Sequence, residues 1–124
     1  MKYSWEFIEV FSKGSLKKEG DAHNSDLSAD EFKNWVYGKW SIAPERRMKQ
    51  FEHQAMFPEE IAKRIIKLFS YKGDLVLDPF NGVGTSTYVA KLLQRRYCGV
   101  DVSQMYCNKA KERIEKSAIN SDSL

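Results

Sequence analysis

The sequence predicts an α/β fold whose second half is built on two short parallel strands flanked by helices. Three observations carry this expectation. An apolar run, DLVLDPF, leads into a glycine turn and a stretch with helical spacing; a second apolar run, YCGVDVS, follows; and segments of helical character stand before the first run and after the second. Helix, strand, helix, strand, helix in that order implies parallel strands joined by a right-handed crossover. A chain of 124 residues suffices for one small domain, burying something over ~60% of its unfolded surface.

In chain order, residues 3–12, YSWEFIEVFS, mix aromatic and branched side chains with Glu6 and Glu9 and read as a strand ending at Lys13-Gly14. Polar residues and breakers then make a loop to Asp30. Ser28 followed by Glu31 is a capping-box pattern for a short helix that would turn Phe32, Trp35 and Val36 inward. The stretch SIAPERRMKQFEHQAM, broken by Pro44, reads as irregular. Pro58 with Glu59 and Glu60 suits a helix start. Ile61, Ile65, Leu68 and Phe69 then share one face of a helix of about three turns, stopped by Tyr71-Lys72-Gly73. After the first buried strand, GVGTSTYVAKLLQRR should form a turn and a helix with Val89, Leu92 and Leu93 toward the sheet. The last helix spans about Ser103 to Ser117, and INSDSL reads as a frayed tail.

Composition narrows the function classes. With 42% hydrophobic and 30% charged residues, 7 Gly and 3 Pro, the chain reads as a soluble globular protein. No long apolar run spans a membrane, and Glu6 and Glu9 interrupt the N-terminus where a signal peptide is unbroken, so a cytoplasmic location is expected. Cys98 and Cys107 form no CxxC pair, and His23 and His53 lie far apart, so the expectation is buried free thiols and no metal. The net charge of +3 is a mild excess compatible with an anionic partner.

The turn VLDPFNGVGTS carries the chemistry. Ligands of open parallel sheets bind beyond the carboxyl ends of the strands. Gly82 and Gly84 let the backbone come close to a ligand, and a helix starting near Thr85 offers free N–H groups to an anionic group. Two-glycine turns are also often purely structural. A phosphate loop needs GxxxxGK[ST], but no lysine follows Gly84; a dinucleotide fingerprint needs a third glycine where Thr87 stands. Asp78 would in addition repel a diphosphate. S-adenosylmethionine fits better, with an ammonium and a sulfonium for Asp78 and a carboxylate for the helix start. Asp101, 19 residues past Gly82, stands about where a ribose-binding acid is found. It could instead cap the following helix, a role open to Ser103 as well.

From Phe51 to Arg113 the sequence resembles the cofactor half of DNA amino-methyltransferases, which methylate the exocyclic amine of adenine or cytosine. The resemblance rests on His53-x-x-x-Phe57-Pro58, a helix, and then Asp78-Pro79-Phe80-x-Gly82-x-Gly84-Thr85. This order is that of the circularly permuted beta class, in which the catalytic half comes first. WEFIEVFSKGS and GKWSIAP are similar to the region just upstream, including part of the target-recognition segment. The resemblance implies a partial Rossmann-like S-adenosylmethionine-dependent methyltransferase fold. Its implied cofactor contacts are Asp78, Phe80, Gly82, Gly84 and Thr85 in the turn, Asp101 and Ser103 on the ribose and adenine side, and Ala55 and Phe57 on the methionine side. Phe80 could equally be a core residue under the turn. Gln54 follows His53 where the family usually has proline.

The family's catalytic tetrapeptide, an Asp, Ser or Asn followed by Pro-Pro and an aromatic, is absent, since Pro44, Pro58 and Pro79 are the only prolines. No catalytic residue is therefore expected here, because an exocyclic amine must be flipped out and aligned with the sulfonium. The chain alone should be inactive. The implied division is residues 1–50 as a strand plus part of the recognition region, 51–118 as the cofactor half-domain and 119–124 as a flexible tail. The first strand would leave an open apolar edge, to be covered by a second subunit carrying the catalytic half or by another copy in a homodimer. Lys39, Arg46, Arg47 and Lys49, near Trp35, Tyr37 and Trp40, could meet DNA phosphates while the aromatics pack or stack; a solvated loop over a small aromatic core fits the same residues. The alternative function is a non-catalytic truncated remnant that binds cofactor or DNA.

Overall fold

A computed structural model describes residues 5–44 and 56–122. Its helices are α1 (Ala29–Trp35), α2 (Glu59–Phe69), α3 (Thr85–Leu92) and α4 (Gln104–Asp122), and its strands β1 (Leu75–Asp78) and β2 (Arg96–Gly99). The strands pair in parallel, from Leu75 with Arg96 to Asp78 with Gly99. This is the predicted α/β order, and α3 makes the connection between the strands. It packs on both of them, on α2 and on α4.

The core lies between α2, α3 and one face of the sheet. Ala62, Ile66, Val89 and Ala90 are buried together, with Val76, Tyr88 and Leu93 packed against them. Alternation along β1 turns Val76 to this core and Leu75 and Leu77 to the other face, where they remain 57% and 61% exposed. Cys98, the register partner of Leu77, is exposed too, which corrects the expectation of two buried thiols; Cys107 is half-buried.

Several expectations about faces are corrected. The buried stripe of α2 is Ala62 and Ile66; Ile61, Ile65 and Leu68 are only half-buried and Phe69 is exposed. Small Ala62 lets α2 approach α3 closely, and the larger residues flank that seam. Leu92 is exposed and Leu93 takes its place, because the helix ends there and Gln94, at φ +62°, turns the chain into β2. In α1 only Trp35 is buried, while Phe32 and the C-cap residue Val36 are exposed; the helix reaches α2 through Trp35, under Arg64, and through Glu31, paired with Lys67. Residues 5–12 join no ladder and leave Trp5, Phe7, Ile8, Val10 and Phe11 exposed. A strand needs a neighbouring edge, and the described residues bring none to this segment. β2 ends at Gly99, before Asp101, and α4 continues past Ser117 to Asp122 because no Gly or Pro interrupts it.

The segment before α2 docks at the amino ends of the strands. Buried Arg95, just before β2, donates to Asp26 at 2.5 and 2.9 Å, to Ser70 Oγ at 3.1 Å, and to the carbonyls of Ser70 and Leu93 at 2.9 and 2.8 Å. All five guanidinium N–H groups are thereby used. Lys72 N–H donates to the Asn24 carbonyl, and Lys18 lies over the Tyr71 ring at 4.3 Å. Ser28 Oγ caps α1 by accepting from Glu31 N–H, as the capping pattern predicts, and the Glu31 carboxylate pairs with buried Lys67 of α2 at 2.6 Å. Among the described residues no group of side chains could hold a metal ion, and no helix is long and apolar enough to cross a membrane.

Candidate cofactor site

The turn from Pro79 to Gly84 stands at the carboxyl end of β1, opposite the docked segment, and its backbone N–H groups are held by backbone carbonyls and by side-chain carboxylates. Asp78 Oδ1 accepts from Phe80 N–H at 2.9 Å, fixing the first step of the turn. Phe80 is 88% exposed, so it is not a core residue beneath the turn. Asn81 donates its N–H to the Val100 carbonyl and accepts from Gly84 N–H, each at 2.9 Å. Its side-chain oxygen lies 3.2 Å from Thr87 Oγ, which is equally far from the Gly84 carbonyl, so a single hydroxyl proton serves both.

Gly82, at φ +54°, donates its N–H to Asp101 Oδ2 at 2.9 Å, and the other oxygen of that carboxylate accepts from Ser103 N–H at 2.8 Å. Asp101 thus joins the loop after β1 to the loop after β2. The cap of α4 is Ser103, whose Oγ accepts from Tyr106 N–H, so the two roles left open for this pair separate.

The second glycine has a different reason. Gly84 has φ +84°, and a Cβ there would lie 2.7 Å from Ala110 Cβ of α4. Its missing side chain admits a helix, not a ligand. Thr85 is buried, and its Oγ accepts from Arg113 Nη1 at 3.1 Å, so its side chain faces α4 while the free N–H groups of α3 face the turn. Arg113 also donates to Glu59 Oε1 at 2.5 Å and lies 4.6 Å from the Tyr88 ring centre. Glu59 begins α2, which ties the start of α2, and Phe57 just before it, to the same end of the molecule. Phe57 is 40% exposed.

Asp78, Phe80, Gly82, Gly84, Thr85, Asp101 and Ser103 therefore converge at the carboxyl ends of β1 and β2. Ala55 and His53 lie outside the described residues, as do Arg46, Arg47 and Lys49. Sequence reasoning missed Asn81, Thr87, Gly99 and Arg113. A Cβ on Gly99 would lie 2.3 Å from the Asn81 amide nitrogen; a glycine inside an apolar strand is the signal that points to such a close approach. Of the proposed DNA contacts, Lys39 is exposed. Trp35 and Trp40 are not available for base stacking: Trp40 Nε1 donates to the Trp35 carbonyl at 2.9 Å, and Arg64 covers both rings at 5.6 and 5.3 Å. Only Tyr37 of the three aromatics stays open, at 71% exposure.

The chain is similar to known proteins in sequence and in fold. The type II methyltransferase M2.LlaDCHI of Lactococcus lactis subsp. cremoris is 42% identical over 116 residues, covering 94% of this chain and 37% of that protein. M.MjaI of Methanocaldococcus jannaschii is 33% identical over 115 residues, covering 88% and 38%. The present chain thus spans well under half the length of these curated relatives. Among solved structures, TTHA0409 of Thermus thermophilus in complex with S-adenosyl-L-methionine superposes with a TM-score of 0.68 at 32% identity, over 83% of this chain and 40% of that one. The N6_N4_Mtase model, described as DNA methylase, matches residues 1–112, and the chain belongs to that family.

Proposed function

We propose that this chain is the S-adenosylmethionine-binding part of a site-specific DNA amino-methyltransferase acting in the cytoplasm on the exocyclic amine of adenine or cytosine. The observation that carries the reading is the turn itself: an acid at its start, backbone N–H groups of α3 at its end, and the Asp101 carboxylate across from both. Asp78 would face the ammonium and sulfonium, the start of α3 the carboxylate, and Asp101 with Ser103 the ribose and adenine. Phe80 and Gly82 line the turn, Ala55 and Phe57 the methionine side, and Gly84 and Thr85 set its backbone. When bound, the cofactor supplies the methyl group. The match to relatives of type II methyltransferase name supports DNA as the substrate, with Lys39, Arg46, Arg47 and Lys49 as phosphate contacts.

The 124 residues contain no adjacent prolines, so the groups that hold the flipped amine come from outside this sequence, in the beta-class order. Among the described residues β1 has one unpaired edge, and that edge with the bare face of Leu75 and Leu77 is where the other half would complete the sheet. The same bare face suits the second reading, a non-catalytic remnant that pairs with its own copy. A tritiated-methyl transfer assay separates the two. The chain alone should bind cofactor and transfer nothing to DNA, and addition of a half carrying the Pro-Pro-aromatic segment should restore transfer. Transfer by the isolated chain, or a second half that works equally well without it, would overturn the proposal.

A further inference from the structure

α4 addresses the cofactor turn with two residues one helical turn apart. Ala110 closes on Gly84, and Arg113 reaches Thr85, the first residue of α3. The guanidinium is buried, stacked on Tyr88 of α3 and paired with Glu59 at the start of α2. Three helices are thus indexed to one planar cation. Its fork fixes direction as well as distance.

We infer that Arg113 is a positioning residue for the cofactor: acting through Thr85, it aims the free N–H groups at the start of α3 toward the ligand's carboxylate. The inference rests on the S-adenosylmethionine reading above. The first N–H groups of a helix bind an anion only while the helix axis points at it, and α3 has two turns with which to hold that direction. The guanidinium is paired with Glu59, and the effect inferred is one of geometry more than of added positive potential. Arg113 touches no ligand in this scheme.

The chemistry supplies a selective test. 5′-Methylthioadenosine keeps the adenine, ribose and sulfur of the cofactor and lacks the amino-acid carboxylate. Binding of both compounds is measured by calorimetry to the full chain, to its Thr85→Val, Thr85→Ser and Arg113→Lys variants and to the double variant Thr85→Val/Arg113→Lys, with a thermal melt of each. Thr85→Val and Arg113→Lys should each weaken S-adenosylmethionine about tenfold, the loss expected when a hydrogen bond to a charged group is removed. The double variant should be no weaker than the weaker single, since both cut one linkage. Thr85→Ser, which keeps the acceptor, should bind as wild type, and 5′-methylthioadenosine should bind all five proteins alike. Variants that melt lower yet bind S-adenosylmethionine normally, or that lose both compounds equally, would overturn the inference and leave Arg113 a purely structural role. A wild-type chain that binds 5′-methylthioadenosine but gains nothing from the carboxylate would also overturn it. One that binds neither compound would remove the cofactor reading itself.

Discussion

The two ends of the sheet are built by opposite means. At the amino ends, residues 18–35 are held by charged side chains: Arg95 on Asp26, Lys67 on Glu31, Lys18 over Tyr71. At the carboxyl ends, the cofactor turn is held by its own backbone N–H groups on backbone carbonyls and on the carboxylates of Asp78 and Asp101, by the contact between Asn81 and Thr87, and by glycines packed where a methyl group would collide. A polar, side-chain docking resembles the contact between two domains. The turn instead leaves the Phe80 side chain exposed, while Asp78 is held by the N–H of Phe80. The difference implies different weaknesses: the docked segment fails when charge is lost, and the turn fails when volume is added.

The largest effect is expected at Arg95. Its replacement by alanine removes five hydrogen bonds and leaves Asp26 and Ser70 half-buried without their partner, a loss of about 3–5 kcal/mol by analogy with other broken buried pairs. Urea unfolding should show it directly. Hydrogen exchange in residues 18–35 should accelerate while the amides of Gly82 and Gly84 keep their protection; equal acceleration at both ends would show that the molecule opens as one cooperative unit.

Adding volume is the reciprocal experiment. Gly84→Ala introduces a Cβ 2.7 Å from that of Ala110 at a residue with φ +84°, combining about 1–2 kcal/mol for the left-handed conformation with about 1–3 kcal/mol for overpacking. Cofactor affinity should fall with stability, because the turn moves with α3. Ala110→Gly in the same chain should recover the packing part only. A stable Gly84→Ala protein would show that α4 yields at this contact.

Asp101→Ala should weaken S-adenosylmethionine by about 1.5–3 kcal/mol, the range for hydrogen bonds to a charged group. The geometry adds a second cause, since Gly82 N–H and Ser103 N–H lose their acceptor together. An analogue without ribose hydroxyls separates the causes in calorimetry. If the variant binds that analogue as well as wild type does, the ribose bond accounts for the loss; if it binds it worse, the loop bridge contributes. Wild-type affinity for the cofactor itself would remove both roles.

Much of this contrast is legible in the letters, and what is not has physical reasons. The capping pair Ser28 and Glu31, the acidic start of α2 and the Asp-Pro-Phe turn are local patterns, and each stands where local chemistry puts it. The stripe on α2 falls one position away from the strongest apolar pattern because Ile61, Ile65 and Leu68 outrank Ala62 in hydrophobicity, while the close approach to α3 favours the small residue. WEFIEVF has strand composition but no strand, because β structure depends on a neighbour that a single sequence does not reveal. Arg95 and Arg113 look in sequence like two of 20 basic residues. Their burial depends on Asp26 and Glu59, which lie 69 and 54 residues away.

The smallest effect is a dependence on acid at the docked end. Partial burial pushes the Asp26 carboxyl up, yet the hydrogen bonds and charge of Arg95 outweigh it and hold the group below its ordinary value of 3.8. A carboxyl depressed in the folded state contributes stability that is fully present above the unfolded value and is lost as pH falls through the folded one. Urea midpoints should therefore be steady from neutral pH to about 5 and decline below about pH 4. The pair is partly open to solvent, so its share should be about 1 kcal/mol after screening. Asp26→Asn keeps the shape and removes the titration, so the gap between wild type and variant should narrow as the pH falls from about 7 to about 3. A gap that stays constant over that range would mean that Arg95 holds the segment through hydrogen-bond geometry alone, without help from the carboxylate charge.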